Sequence, residues 1–375
     1  MSALPLPQSA RRGGQRIQRK TASISGPPPA TGQTTRQRQL PDTYFDVPRG
    51  SNTRRDEPKD PLQVVGEDTI LAIQQGGYQT PDGRRQTIAE ACQQLCGSDT
   101  RFHPSDNPTL DRWRMSPTTP AGAASSSSHD TIDIHFRLQS TLSAAREWAW
   151  SARAPYERIG VLSCAHPTIP GGGFNATGGA FKSQEASLNR ASNLSYALFS
   201  PTAAAFYSFH KTDQGVNNGF YSNAMVYARD VTLIRDDFHE WAFPLKVDVV
   251  NATPVDANDV KRMLVKQGGM PKETMRKLVT EALEERMGRI LRLFELEGDN
   301  VLILTGFGAG ACGNPMSTIA RIWAKLLGPG GRFYGKFANV IFAIPSDMPF
   351  HEFSSSFNAA IARSSAPDGQ PPVST

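Results

Sequence analysis

The sequence has few cysteines, no long hydrophobic run and no excess of charge over most of its length. Four cysteines among 375 residues are too few and too scattered for the disulfide framework of a secreted protein, so we expect a reducing compartment. No run approaches the roughly 18–20 consecutive apolar residues of a membrane helix, which excludes a spanning protein. Beyond residue 60, 29 basic residues face 30 acidic ones. A near-neutral body of this kind argues against a nucleic-acid-binding domain.

The first 60 residues differ in composition from the rest. They hold eleven Lys and Arg against five Asp and Glu, and the first acid is Asp42. Such a segment buries too little apolar surface to offset chain entropy, so we predict a disordered basic arm over residues 1–60. Arg11-Arg12 and Arg19-Lys20 suit a nuclear signal, and an acid-free start also suits a transit peptide, a bacterial secretion signal or a solvated tail. We therefore expect a cytoplasmic or nuclear protein, or a bacterial effector secreted into host cells.

From Thr131 onward, short apolar runs alternate with helical patterns. This alternation predicts an α/β fold, a three-layer α/β/α arrangement around a largely parallel, mixed sheet. We predict strands at 132–136, 159–162, 247–250, 301–304 and 340–344, and helices at 143–150, 271–297 and 316–327. The core is assigned to residues 129–350, and residues 351–375 are expected to form a flexible tail.

Residues 61–128 are predicted to form a helical extension before this core. Asp68-Thr69 suggests a helix start, and Gly76-Gly77 a stop. A second helix is predicted from Thr87 to Cys96. The Pro-, Ala- and Ser-rich stretch at 117–129 predicts a linker or surface loop.

A glycine-rich loop follows the predicted strand at 301–304 and precedes a predicted helix. Glycines let backbone N–H groups approach an anion, and a helix N-terminus favours negative charge, so a diphosphate suits this loop. Gly308-x-Gly310-x-x-Gly313 matches the dinucleotide fingerprint, but the acid expected about 20 residues later is missing, which disfavours a dehydrogenase. A turn that binds nothing remains an alternative. The candidate binding residues are Gly306, Phe307, Gly308, Ala309, Gly310, Ala311 and Gly313.

A second glycine-rich segment follows the predicted strand at 159–162. Gly171, Gly172, Gly173 and then Phe174 can cradle a phosphorylated sugar, and Gln184-Glu185 can return to the same cavity at the start of the next helix. The alternative is a tight turn followed by a solvated acid that the helix dipole stabilises. The residues alone leave both interpretations open.

These motifs resemble a known family. Pro-Gly-Gly-Gly-Phe at 170–174 and Gln-Glu-x-x-Leu-x-Arg at 184–190 are similar to the signature of the microbial-type poly(ADP-ribose) glycohydrolases of the macrodomain superfamily. Further similar segments occur in the family's order at 67–78, 226–236, 306–315 and 342–344, so the resemblance covers roughly residues 62–348. It implies a macrodomain-like fold that binds ADP-ribose, with Gly171–Gly173, Phe174 and the 306–313 loop as ligand-binding segments.

The resemblance also shows departures at the catalytic end. The family usually reads Gln-Glu-Glu, and its second Glu is the catalytic acid/base, where this chain has Ala186. His166 occupies a position that is usually Asn, and the spacing from the glycines to Gln184 is about three residues longer than usual. Gln184 and Glu185 are then expected at the distal ribose, with Glu185 and His166 as candidate catalytic residues.

Three activities follow from this comparison. The chain could hydrolyse ADP-ribosyl linkages of poly- or mono-ADP-ribose, it could bind ADP-ribose without turnover, or it could act on an N-glycosidic bond. We expect no cofactor and no metal, a monomer, and ADP-ribose or an ADP-ribosylated protein as partner. Phe307 and Phe342 are candidates for contact with the adenine.

Overall fold

The computed structural model of the protein describes residues 59–115, 131–151, 157–177, 181–217 and 219–365. The predicted arm up to residue 58, the predicted linker at 117–129 and Gly178-Gly179-Ala180 lie outside these ranges. The elements follow in the order α1 (Pro61–Gln74), β1 (Gly77–Gln79), β2 (Arg85–Thr87), α2 (Ala89–Cys96), β3 (Thr100–His103), α3 (Pro108–Asp111), β4 (Asp133–Arg137), α4 (Thr141–Trp150), β5 (Ile159–Cys164), α5 (Gln184–Arg190), α6 (Leu194–Leu198), α7 (Pro201–Asn217), β6 (Met225–Arg235), β7 (Trp241–Ala252), α8 (Ala257–Lys266), α9 (Lys272–Glu297), β8 (Val301–Leu304), α10 (Met316–Leu327), β9 (Asn339–Ala343) and α11 (Asp347–Ser365).

A mixed sheet lies at the centre of the described residues. Its seven strands have the order β3-β6-β7-β5-β8-β9-β4. The neighbours from β7 to β4 pair in parallel, whereas β6 runs antiparallel to both β7 and β3. The loops that follow β5, β7 and β8 therefore meet at one edge of the sheet, where open α/β sheets bind ligands.

Helices cover both faces of this sheet. Along β8, Val301 and Ile303 pack into one hydrophobic cluster with α2, α4 and α7, while Leu302 and Leu304 pack into the other with α9, α10 and α11. Alternate side chains of a strand point to opposite faces, so a run of apolar residues at every position fits a strand buried on both sides. The predicted α/β/α fold with a mixed sheet is confirmed.

The N-terminal part differs from its prediction in two ways. The first helix begins at Pro61 and not at Asp68-Thr69, because the Asp60 side chain caps it by accepting a hydrogen bond from Leu62 N at 2.8 Å. The segment is also not purely helical, since β1 and β2 form a hairpin and β3 pairs with β6 in the central sheet.

The prediction of a flexible tail over residues 351–375 is wrong for residues 351–365. These residues belong to α11, whose Phe353 and Phe357 are fully or almost fully buried. Both rings contact Phe136 of β4 and Phe342 of β9. Strands β4 and β9 thus supply the apolar surface that orders this serine-rich helix.

None of the helices in the described ranges is long and apolar enough to cross a membrane.

Candidate functional site

Two loops meet at the edge formed by the carboxyl ends of the parallel strands. The β5–α5 loop spans residues 165–183 and carries the three consecutive glycines, and the β8–α10 loop spans residues 305–315. Because β5 and β8 are paired neighbours in the sheet, both predicted glycine loops start side by side.

The glycine triplet adopts a backbone conformation that other residues rarely take. Gly171, Gly172 and Gly173 have φ values of 67°, 59° and 67°. A Cβ on Gly172 would lie 2.9 Å from Ser183 Oγ and 3.0 Å from Glu185 Oε2. Only glycine therefore combines this left-handed turn with close packing over the start of α5.

Gln184 ties the start of α5 to the end of β5. Its Oε1 accepts a hydrogen bond from Cys164 N at 2.8 Å, and its Nε2 donates to Leu162 O at 2.7 Å and to Thr141 Oγ1 at 3.1 Å. Both donor hydrogens of the amide are used inside the protein. These contacts give Gln184 a positioning role and do not favour the predicted direct contact with the distal ribose.

Glu185 lies directly beneath the glycine triplet and is fully buried. Its Oε2 accepts a hydrogen bond from His166 N at 2.7 Å, and its Oε1 accepts one from Asn251 Nδ2 at 3.2 Å. Burial raises the pKa of Glu185 to about 8, because the hydrogen bonds from His166 and Asn251 only partly offset the loss of water. At neutral pH this carboxyl group therefore holds a proton, and the alternative of a solvated acid is wrong.

His166 follows β5 and reaches Glu185 through its backbone. Its ring Nδ1 accepts hydrogen bonds from Thr168 N at 3.2 Å and Ile169 N at 3.1 Å. Burial lowers the pKa of the ring. The imidazole is thus neutral with an unprotonated Nδ1, so its proton lies on Nε2.

Ala186 lies in an apolar cluster with Ile70 of α1 and Phe174. Ala186 and Phe174 are both fully buried. The ring of Phe174 therefore supports the loop from within, and any ligand contact by this residue involves its backbone. The Arg190 guanidinium braces the same loop by donating to Phe174 O at 3.2 Å and to Phe181 O at 2.9 Å.

Two asparagines fix the backbone of the β8–α10 loop through hydrogen bonds. Asn314 Nδ2 donates to Gly308 O and to Val255 O, both at 2.7 Å, and Asn258 Nδ2 donates to Ala311 O at 3.0 Å. Gly310 has a φ of 66°, and no atom lies within 4 Å of a Cβ built there. Gly310, Ala311 and Gly313 are exposed. The backbone at the tip of this loop is therefore free to approach an anion.

The adenine prediction for Phe307 and Phe342 is wrong. Both rings are fully buried in the cluster beneath the sheet edge. A buried ring in a packed core offers no face to a base.

Sequence reasoning missed two side chains beside Glu185. Asn251 ends β7 next to the carboxyl group, and the Tyr207 phenol on α7 has its pKa raised by burial and then by the charge of Glu185. A polar residue directly after the apolar run at 247–250 is a signal that could have identified Asn251. The sequence holds no comparable signal for Tyr207.

Among the residues that the structure describes, no group of three or more His, Cys, Asp and Glu side chains could hold a metal ion.

Residues 66–236 match the family model described as the microbial-type PARG, catalytic domain, where PARG is poly(ADP-ribose) glycohydrolase. No curated protein matches the chain. The poly(ADP-ribose) glycohydrolase from Thermomonospora curvata is 25% identical, with a TM-score of 0.65 over 80% of this chain and 98% of that one. The same enzyme bound to the inhibitor ADP-HPD is 25% identical, with a TM-score of 0.63 over 81% and 98%.

A Deinococcus radiodurans poly(ADP-ribose) glycohydrolase in complex with ADP-ribose shares the fold. It is 23% identical, with a TM-score of 0.58 over 72% of this chain and 97% of that one. The sequence match over residues 66–236 and the structural similarity both show that the chain is similar to the microbial-type poly(ADP-ribose) glycohydrolases.

Proposed function

We propose that the protein binds ADP-ribose at the β5–α5 and β8–α10 loops and hydrolyses ADP-ribosyl linkages. The match of residues 66–236 to a glycohydrolase family model supports this function, as do two glycine loops at the carboxyl ends of neighbouring parallel strands. In this proposal the backbone of Gly308–Ala311 holds the diphosphate, and the glycine triplet holds the distal ribose.

The observation that carries the catalytic proposal is the buried carboxyl group of Glu185. With a pKa of about 8, this group is protonated at neutral pH and can act as a general acid. Its Oε2 lies immediately beneath the loop, 3.0 Å from where a Gly172 Cβ would be. No other acid of the Gln-Glu motif is available, since the next residue is Ala186.

The proposed reaction transfers one proton in each direction. Glu185 donates its proton to the departing oxygen as the bond between that oxygen and C1″ of the ribose breaks. A water oxygen then bonds to C1″ and gives its proton to the Glu185 carboxylate, which restores the acid. The products are ADP-ribose and the free hydroxyl or carboxyl group of the target. His166 assists by holding Glu185 Oε2 through its backbone N–H.

A second candidate function is an ADP-ribose reader without turnover. It is favoured by the apolar surroundings of Ala186 and by the complete burial of Glu185, whose two oxygens both have donors inside the protein. In either case we propose a monomer whose partner is ADP-ribose or an ADP-ribosylated protein.

The decisive experiment measures binding and cleavage separately. The protein is titrated with ADP-ribose, then incubated with poly(ADP-ribose) and with proteins mono-ADP-ribosylated on Glu, Ser or Arg, and released ADP-ribose is quantified. For a hydrolase, Glu185→Gln should lower turnover by about 10²–10⁴-fold, as expected for a lost general acid, and leave ADP-ribose affinity nearly unchanged. Glu273→Gln, on an exposed side chain of α9, is the matched control.

Each other outcome has a definite meaning. Tight binding without cleavage of any substrate supports the reader. If Glu185→Gln cleaves as fast as the wild type, the general acid is another group, such as His166 or Asp256. No binding of ADP-ribose at millimolar concentration would contradict both candidate functions.

A further inference from the structure

Helix α8 presents one exposed face beside the β8–α10 loop. The exposed residues recur at the spacing of a single helix face, i, i+3, i+4, i+7 and i+8. They are Asn258, Lys261, Arg262, Val265 and Lys266, and together they line a concavity of about 500 Å³. The opposite face, with buried Val260, packs into the core.

The first residue of this face is part of the β8–α10 loop's support. Asn258 Nδ2 donates to Ala311 O at 3.0 Å. A Cβ on Gly313 would lie 2.5 Å from Asn258 Oδ1, so the amide packs directly on the loop. From Asn258 to Lys266 the helix rises roughly 12 Å, at about 1.5 Å per residue. A row of cations therefore starts at the exposed loop backbone and leads away from it.

Two of these cations have no counter-ion among the described residues. Arg262 pairs with Asp259 one turn before it. The Asp256 carboxylate is also engaged, because it caps the helix and accepts from Asn258 N at 2.9 Å and Asp259 N at 3.0 Å. Lys261 and Lys266 are exposed, and they form no ion pair with any acid whose side chain the structure describes.

An exposed apolar side chain lies between the two lysines. Val265 is 69% exposed. The face thus offers positive charge for phosphates together with a small apolar surface for a base or a ribose.

We propose that this face of α8 is a second anion subsite, which binds the diphosphate of a neighbouring ADP-ribose unit. This inference rests on the proposed function, because the first unit must occupy the β8–α10 loop. A single ADP-ribose carries one diphosphate, which the loop backbone accommodates. A chain of ADP-ribose carries a further diphosphate in every unit, covalently attached to the bound one, and the row of cations is continuous with the loop. The protein then binds oligomers more tightly than the monomer, since the second contact is intramolecular.

The test compares ligands of different length. Fluorescence titrations measure the affinity for ADP-ribose and for ADP-ribose oligomers of at least four units, at several salt concentrations. Lys261→Ala/Lys266→Ala should weaken oligomer binding by about tenfold. The slope of log affinity against log salt concentration should decrease by the equivalent of one to two phosphate contacts. The affinity for monomeric ADP-ribose should stay within about twofold.

A matched control removes the same charge elsewhere. Arg85→Ala/Arg363→Ala takes two exposed cations from β2 and from the end of α11. The second lies two residues after Ile361, which packs on Gly328 at the end of α10 remote from the loop. Oligomer affinity should not change in this variant, so the net charge of the protein is excluded as the cause.

Three results would overturn the subsite. One is equal affinity of the wild-type protein for monomer and oligomer, and another is a lysine variant that weakens both ligands alike. The third is that polyglutamate or single-stranded RNA competes with an affinity equal to that of the oligomer, and that this affinity falls equally in the lysine variant. The face would then bind any polyanion. If the wild-type protein does not bind even the monomer, the proposed function fails as well, and that result is distinguishable from the other three.

Discussion

Buried carboxyl groups lie at both ends of the parallel strands, at the amino edge and at the carboxyl edge, and their partners differ. At the amino edge of β5 and β8, Arg158 pairs with Asp248 and lies 3.9 Å from Asp299. Tyr227 donates to Asp299 Oδ2 at 3.3 Å. At the carboxyl edge, the donors to Glu185 carry no charge and include His166 N, Asn251 Nδ2 and the backbone of Gly171.

Burial raises the pKa of the carboxyl group at both edges. For Asp299 the neighbouring Asp248 adds to this effect and Arg158 opposes it. A raised pKa therefore does not by itself identify a catalytic acid. Glu185 is distinguished by its position beneath the glycine triplet, whereas the charges of the amino-edge cluster are fixed by an arginine far from both loops. We therefore propose a catalytic role for Glu185 and a role in stability for the cluster of Arg158, Asp248 and Asp299.

The largest effect is expected from Arg158→Ala. This change leaves two buried carboxyl groups without their cation, so we expect the free energy of unfolding to fall by about 3 kcal/mol, as for other broken buried ion pairs. ADP-ribose affinity should stay within about twofold, because the site lies at the other edge. Urea denaturation followed by tryptophan fluorescence measures the first effect.

The control is Arg84→Ala, which removes an exposed pair with Asp82 and should not change stability measurably. A loss of ADP-ribose binding in a folded Arg158→Ala protein would show that the two edges are coupled, and it would contradict a role of the Arg158 cluster in stability alone.

A smaller effect is expected from Gly310→Val in the β8–α10 loop. The φ of 66° strains any β-branched residue, so the loop backbone must move. We expect at least about a tenfold loss of ADP-ribose affinity, equivalent to about 1.4 kcal/mol. Isothermal titration measures it. Gly330→Val is the matched control, with a φ of 77° and open space around the added side chain. It should lose similar stability and keep its affinity. Normal binding by Gly310→Val would refute the loop assignment.

The effect of Glu185→Gln on stability is expected to depend on pH. The folded carboxyl group has a pKa of about 8, above its ordinary value of 4.5. The folded state therefore retains a proton that the unfolded state releases, and the wild-type protein loses stability as the pH rises from about 4.5 to 8. Glutamine carries no proton to lose, so the stability of the variant relative to that of the wild type should rise between pH 5 and pH 8, by up to about 4 kcal/mol for a shift of this size.

Urea unfolding at the two pH values tests this point, with Glu273→Gln as the exposed control. A difference between variant and wild type that is the same at both pH values would contradict the raised pKa of Glu185.

The sequence predicts the parts of the fold in which local pattern and burial agree. The strands at 301–304 and 340–344 and the helices α9 and α10 lie within a residue or two of their predicted positions, because apolar runs and terminal glycines mark them. α11 escapes prediction, since its serines favour no regular structure and only Phe353 and Phe357 attach it to the sheet. Its order comes from tertiary contact, which a local pattern does not contain.

The site shows the same division. The glycines mark both loops because their backbone conformations require them. The depth of Glu185, the internal partners of Gln184 and the burial of Phe307 depend on how α5 and the β8–α10 loop pack against β5. Residue types alone place these groups near the cavity but do not say which of them face it.

The most direct test of the central claim is the pH dependence of ADP-ribose release by the wild-type protein. If protonated Glu185 is the general acid, kcat/KM should be constant near neutrality and fall about tenfold per pH unit above its pKa of about 8. A rate that stays constant or rises between pH 7 and 10 would contradict the assignment of Glu185 as the acid.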